Sequence, residues 1–138
     1  MSLRFRLRVY WEDTDAGGIV YYANYLKFIE RARTEALLSL GLSQTGLRER
    51  FGLLFAVRAV TVDYLAPARF EDQLVVTPRV GPAGAARLTM AQAVWRETAC
   101  LMTAEVTLAC LGPDGRPARM PAALRAALGR LPPLGDDP

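Results

Sequence analysis

Two carboxylates stand two residues apart in the run Val9-Tyr10-Trp11-Glu12-Asp13-Thr14-Asp15-Ala16-Gly17-Gly18-Ile19-Val20-Tyr21-Tyr22-Ala23-Asn24-Tyr25, immediately ahead of a helical pattern. A helix N-terminus presents unpaired amides and the positive end of the helix dipole, both suited to a developing oxyanion. Asp15 is close enough in chain distance to face the same point, and a carboxylate there can serve as base or nucleophile. Gly17 and Gly18 let backbone approach a ligand closely. The same residues also suit an ordinary strand-to-helix connection, with Asp13, Thr14 and Asp15 as turn formers. The chain contains no histidine. Ser-His-Asp and Cys-His nucleophile systems are therefore excluded, as are the common zinc sites. Acid–base work falls to carboxylates, tyrosines, lysine or backbone.

The element that must position these groups is the helix expected from Asn24 to Leu40, roughly 25 Å long at ~1.5 Å per residue. Tyr25, Phe28, Ile29, Ala32, Ala36, Leu37 and Leu40 follow the i, i+3, i+4, i+7 spacing of one apolar face. Asn24 is expected as N-cap and Gly41 in the left-handed position after the last turn. Lys27/Glu30, Glu30/Arg33 and Arg31/Glu35 are opposite-charge neighbours on the solvated face.

Around this helix the pattern is mostly β. Leu3 to Tyr10 alternates apolar and arginine residues as a half-buried strand. Ser43 to Arg50 reads as a short helical segment ended by Phe51-Gly52. Strands are expected at Phe55 to Leu65, Gln73 to Val80, Arg87 to Arg96 and Cys100 to Leu111, separated by Pro- and Gly-containing turns. Pro121 opens a last short helix to Leu128, at its first position. The order predicts an α+β fold, an antiparallel sheet of about five strands with its last four strands consecutive and one long helix on one face. Tyr64, Val60, Val75, Met102, Val106 and Leu108 are read as apolar groups on the other face or an edge. Covering them calls for self-association.

Length bounds the rest. The chain of 138 residues is one domain, residues 1–130, with a Pro- and Gly-rich tail, residues 131–138, expected to be disordered. Apolar residues make up 51%, enough for a core, but no run reaches the ~18 uninterrupted apolar residues of a membrane span. Met1-Ser2-Leu3-Arg4-Phe5-Arg6 alternates too strictly for a signal-peptide core, so a cytoplasmic location is expected. The net charge of +3 favours anionic ligands and carries no nucleic-acid signature. Cys100 and Cys110 lie about 33 Å apart if they share one strand, which excludes a disulfide between them and leaves both as buried small hydrophobes.

The run Tyr10 to Tyr25, continuing Glu30-Arg31-Ala32-Arg33-Thr34-Glu35, closely resembles the 4-hydroxybenzoyl-CoA thioesterase family. Together with Val60-Thr61-Val62-Asp63-Tyr64-Leu65-Ala66-Pro67-Ala68-Arg69, it is most similar to the Tol–Pal-associated acyl-CoA thioesterase branch. The resemblance covers roughly Arg8 to Pro121. It implies a hotdog fold, with the sheet wrapped around the helix and protomers paired edge to edge as a homodimer or homotetramer. It implies acyl-CoA hydrolysis with Asp15 as the catalytic carboxylate and the Tyr22 backbone amide as oxyanion donor. Substrate contacts are implied at Gly17, Ile19, Asn24, Thr61 and Arg87. No cofactor is implied, coenzyme A being part of the substrate.

The sequence departs from the branch in two places. Tyr22 stands where the branch usually carries histidine, although tyrosine matches the 4-hydroxybenzoyl-CoA enzyme, and this bears on substrate preference and rate. The turn Gly81 to Ala86 lacks the arginine that family members often place there, leaving Arg87 or Arg79 for the coenzyme A phosphates. An alternative within the same fold is a low-turnover module binding acyl-CoA or an acyl carrier protein. Hydratase chemistry, which in related folds pairs histidine with a carboxylate, is disfavoured.

Overall fold

The computed structural model describes residues 3–135; Met1 and Ser2, from the segment weighed as a signal peptide, and residues 136–138 of the tail lie outside the described residues. The chain runs β1 (Phe5–Arg8), a 3-10 turn (Trp11–Asp13), α1 (Asn24–Ser39), α2 (Gln44–Phe51), β2 (Leu54–Tyr64), β3 (Gln73–Val80), β4 (Arg87–Arg96), β5 (Ala99–Leu111) and α3 (Ala122–Leu128). These boundaries agree with the sequence reading to within a residue or two at most ends. Pro121 is the N-cap of α3 and not its first helical residue.

Helix α1 forms because its apolar residues fall on one stripe that a sheet can bury. Tyr25, Phe28, Ile29, Ala32, Ala36 and Leu37 are all buried. They share one continuous core with Leu74 and Val76 of β3, Leu88, Met90 and Val94 of β4, and Met102, Val106 and Leu108 of β5. Burying each large aliphatic or aromatic side chain is worth about 1.5–3 kcal/mol. Gly41, at φ 77°, ends the helix where a side chain would be strained. No helix among the described residues is long and apolar enough to cross a membrane.

The five strands make one antiparallel sheet in the order β1-β3-β4-β5-β2. Four consecutive strands lying side by side is therefore not the arrangement: β2 pairs with β5 at one edge, and β1 fills the other edge beside β3. The cause is the β2–β3 connection, residues 65–72, which crosses the end of the sheet instead of turning back. Leu65 and Ala66 donate to the Leu101 carbonyl, Val20 donates to Ala68, and Glu71 donates to Val9. These long-range bonds hold the connection open and send β3 away from β2.

Three more expectations are corrected. Met102, Val106 and Leu108 point at α1 and are buried, so they do not line a second face. Val60 and Tyr64 share that helix-facing side, but at the β2 edge, where α1 leaves them exposed. Second, the Lys27/Glu30, Glu30/Arg33 and Arg31/Glu35 pairs do not close; among the described residues the ion pair is Arg96–Asp72, at 2.7 Å. Arg33 instead donates to Gln92 Oε1 at 3.0 Å, and Gln92 Nε2 donates to the Ile29 carbonyl at 2.8 Å. Third, Cys100 is only half-buried, whereas Cys110 is buried as expected.

The start of the tail is ordered. Leu131 is 2% exposed and belongs to the core. Val80 donates to Pro132 O, and Leu134 donates to Val80 O. Composition alone missed a leucine that the core accepts. Leu131→Ala is expected to cost about 2–3 kcal/mol and to lower the thermal midpoint by roughly 5–10 °C in a calorimetric scan. An unchanged midpoint would return residues 131–135 to a passive tail.

Candidate active site

The site begins where β1 ends. Val9 is fully buried, donates to Asp72 O and accepts from Glu71, so the chain leaves the sheet at a fixed point. The Tyr10 amide donates to Asp13 Oδ2 at 2.8 Å. The Asp13 carbonyl accepts the Tyr21 amide at 3.0 Å and Asn24 Nδ2 at 2.9 Å. Asp13, 8% exposed, is thus the hub of the turn, the structural role its position suggested. Asn24 is not the N-cap of α1. The cap is Ala23, whose methyl side chain can make no capping bond, and the Asn24 side chain instead donates back to the Asp13 carbonyl.

Between these anchors the chain makes a small hairpin. Thr14 bridges Val20, and Asp15 donates its amide to Ile19 O at 2.9 Å. Gly18 sits at φ 80°, a conformation glycine takes without strain. The Gly17 amide donates to Asp15 Oδ1 at 2.8 Å, and a Cβ on Gly17 would stand 3.2 Å from that oxygen. One carboxylate oxygen of Asp15 is therefore fixed by backbone. The other has no hydrogen-bond partner among the described residues, and the side chain is exposed. Ile19 bridges Arg69, which seats the hairpin on the 65–72 connection.

The entry to α1 supplies free donors. Asn24 donates to Tyr21 O at 2.8 Å, whereas the Tyr22 and Ala23 amides have no partner among the described residues. The Tyr22 carbonyl accepts the Tyr64 hydroxyl at 2.8 Å. Tyr25, buried beneath, accepts the Ala68 amide on its hydroxyl oxygen at 3.0 Å, and burial pushes its phenol pKa up. Burial likewise raises Tyr64, with Tyr22 and Tyr25 adding to it, so both phenols keep their protons at neutral pH. A cavity of about 300 Å³ opens here, bounded by Ile19, Val20, Tyr22, Tyr25, Tyr64 and Pro67.

Asp15, Gly17, Ile19 and Tyr22 lie on the loop that leads into α1, and Asn24 is the first residue of that helix. The structure does not add Thr61 or Arg87 to them within one protomer. Thr61 and Asp63 are paired with Glu105 and Thr103 on the outer face of the sheet, while Val60, Val62 and Tyr64 are paired with the helix-facing Val106, Ala104 and Met102. Period-two alternation put Tyr64, and not Thr61, beside the helix start; that signal was legible in the strand. Arg87 begins β4 and Arg96 ends it, so Arg87 lies about 30 Å along the strand from the site end. Arg96 does belong to the site end: it donates to Pro67 O and pairs with Asp72, bracing the 65–72 connection. Nothing in its local sequence marks that role.

A five-stranded antiparallel sheet on one long helix, with a carboxylate hairpin at the helix N-terminus, defines a hotdog-type enzyme domain. Residues 17–102 match the model of the Thioesterase superfamily, and the chain belongs to that superfamily. It is 41% identical over 128 residues to the acyl-CoA thioesterase YbgC of Haemophilus influenzae, spanning 92% of this chain and 94% of that protein. It is 44% identical over 112 residues to the acyl-CoA thioester hydrolase YbgC of Escherichia coli O6:H1, spanning 80% and 82%. Among solved structures, a probable thioesterase from Bartonella henselae superposes with a TM-score of 0.83 at 35% identity, over 88% of this chain and 100% of that one.

The two aspartates should separate cleanly in stability. Asp13→Ala removes the buried carboxylate that accepts the Tyr10 amide and is expected to cost about 1–3 kcal/mol in urea unfolding. Asp15→Ala, at an exposed position, should stay within about 0.5 kcal/mol of wild type. Equal losses would mean that Asp15, too, holds the turn.

Proposed function

We propose that this protein hydrolyses the thioester of an acyl-CoA to the free acid and coenzyme A. The observation that carries the reading is the loop itself: a carboxylate with one oxygen held by the Gly17 amide, leading into two unpartnered amides at the start of α1. The superfamily membership and the acyl-CoA thioesterase activity for which the YbgC relatives are named support it.

The thioester carbonyl oxygen gains negative charge as the carbon is attacked. The Tyr22 amide donates to that oxygen, aided by the helix dipole, and a donor of this kind is worth about 3–4 kcal/mol. Asp15 supplies the basic carboxylate. It acts either on water, taking its proton as the oxygen adds, or directly on the carbonyl, forming an anhydride that water then opens. In both routes the carbon–sulfur bond breaks, the thiolate leaves and is protonated, and one water is consumed. Coenzyme A is part of the substrate and no separate cofactor is needed. The protein acts in the cytoplasm in this reading.

The working unit is a homodimer or a tetramer of such dimers. Strand β2 has a free edge, and Val57 and Val60 beside it are 50% and 41% exposed. A second apolar cavity, of about 530 Å³, lies between them and Leu26, Ile29, Arg33 and Val106. An exposed apolar strand edge of this kind calls for a partner strand. Antiparallel pairing of two β2 strands sets the Leu54 end of one protomer beside the Tyr64 end of the other. Arg87 stands at the Leu54 end, so pairing carries it toward the neighbouring site.

Two measurements test these statements. Thiol release followed spectrophotometrically over a panel of acyl-CoAs should show turnover by the wild type. Asp15→Asn, which keeps size but removes basicity and nucleophilicity, should lower kcat by at least about 10²-fold with the fold intact. Wild-type turnover in that variant would remove Asp15 from the mechanism. For assembly, sedimentation equilibrium at micromolar concentration should show a dimer or larger, and a stable monomer would refute the β2 pairing.

A further inference from the structure

The Tyr22 carbonyl has lost the partner a helix would ordinarily provide. Leu26, whose amide would be its helical donor, bonds to Ala23 O at 3.1 Å instead. Among the described residues, the donor that remains is the Tyr64 hydroxyl, at 2.8 Å. We propose that Tyr64 is a positioning residue for hydrolysis: its phenol orients the Tyr22–Ala23 peptide so that the free Ala23 N–H faces the substrate carbonyl as a second donor beside the Tyr22 N–H. This rests on the thioesterase reading above and specifies how its oxyanion site is held.

The geometry favours an effect through the peptide plane. The Tyr22 C=O and the Ala23 N–H belong to one planar trans peptide and point in opposite directions. Gripping the oxygen therefore aims the N–H, and a hydrogen bond to the oxygen also polarises that N–H as a donor. The grip comes from a rigid element. Tyr64 is the last residue of β2, paired with the fully buried Met102 of β5. Its ring is fixed independently of its hydroxyl, by edge contacts with Tyr22 at 6.1 Å and Tyr25 at 5.4 Å between centroids. Tyr25 in turn holds the Ala68 amide. The sheet, through one phenol, thus sets the orientation of a loop that carries no regular backbone ladder of its own. Donor placement matters steeply, since a displacement of ~1 Å can cost about 10²-fold in rate.

Tyr64→Phe separates the roles, because it keeps the ring contacts and removes only the hydroxyl. On the best acyl-CoA of the panel, kcat should fall about 10- to 100-fold, with KM and thermal midpoint unchanged. Replacing Tyr64 by 4-aminophenylalanine, which restores a ring donor, should recover most of the lost kcat. Wild-type kcat in Tyr64→Phe would overturn the proposal. So would a loss that follows a lowered thermal midpoint and is not recovered by the amino variant, since that is the signature of packing alone. The wider reading fails differently: if the wild type releases no thiol from any acyl-CoA, hydrolysis is refuted before a variant is made, and the Tyr64 role falls with it. If the wild type turns over and Tyr64→Phe matches it, the hydrolase reading stands and only the positioning role is lost.

Discussion

The seating of α1 on the sheet is the constraint on which the remaining structure depends. Phe28, Ile29 and Ala32 are sealed against β3, β4 and β5, which fixes the rotation of the helix about its axis. A polar pin fixes its position along that axis. Gln92, 2% exposed in the middle of β4, donates to the Ile29 carbonyl and accepts from Arg33. Sliding the helix by a turn would leave a buried amide unpaired, at a cost of about 1–3 kcal/mol. Burial also lowers the Arg33 pKa, yet the guanidinium keeps a neutral partner and faces the open groove beside β2. The first turn of α1, and so the free amides of the site, inherit this placement without needing a cap of their own.

Two aspartates two residues apart acquire opposite roles from this frame. Asp13 is drawn inward, and its side chain and carbonyl together take three donors from Tyr10, Tyr21 and Asn24. Its charge is committed to backbone that would otherwise be orphaned. Asp15 is pushed outward by the hairpin that Asp13 anchors, and only one of its oxygens is held. Environment divides the two, as it does wherever neighbouring carboxylates serve different ends. A Cβ at position 17 would stand 3.2 Å from that held oxygen, so glycine leaves the carboxylate room to sit on the amide.

The other end of the site is built from residues far away in the chain. The 65–72 connection is tied to Val9, Val20 and Leu101 by backbone bonds, and to Arg96 by an ion pair and a carbonyl contact. These ties place Tyr64, Tyr25 and Pro67 around the cavity beside Tyr22. They also explain the sheet order, since a connection committed to crossing the sheet end cannot form a β2–β3 hairpin.

The elements themselves were legible in the sequence, because each rests on local periodicity: the apolar stripe of α1, the alternation of β1, and the Gly and Pro residues that end the strands. So were Asp15 and its glycines, because the hairpin is closed by bonds between near neighbours. The absence of histidine limited the chemistry before any fold was known. The tertiary structure alone decided which strands are neighbours, that Asn24 serves Asp13 and not the helix cap, that Leu131 enters the core, and that Arg87 lies at the far end of the sheet. Each of these depends on partners separated by many residues. Local propensity is blind to them, because their free energy is gained only when distant surfaces meet and exclude water.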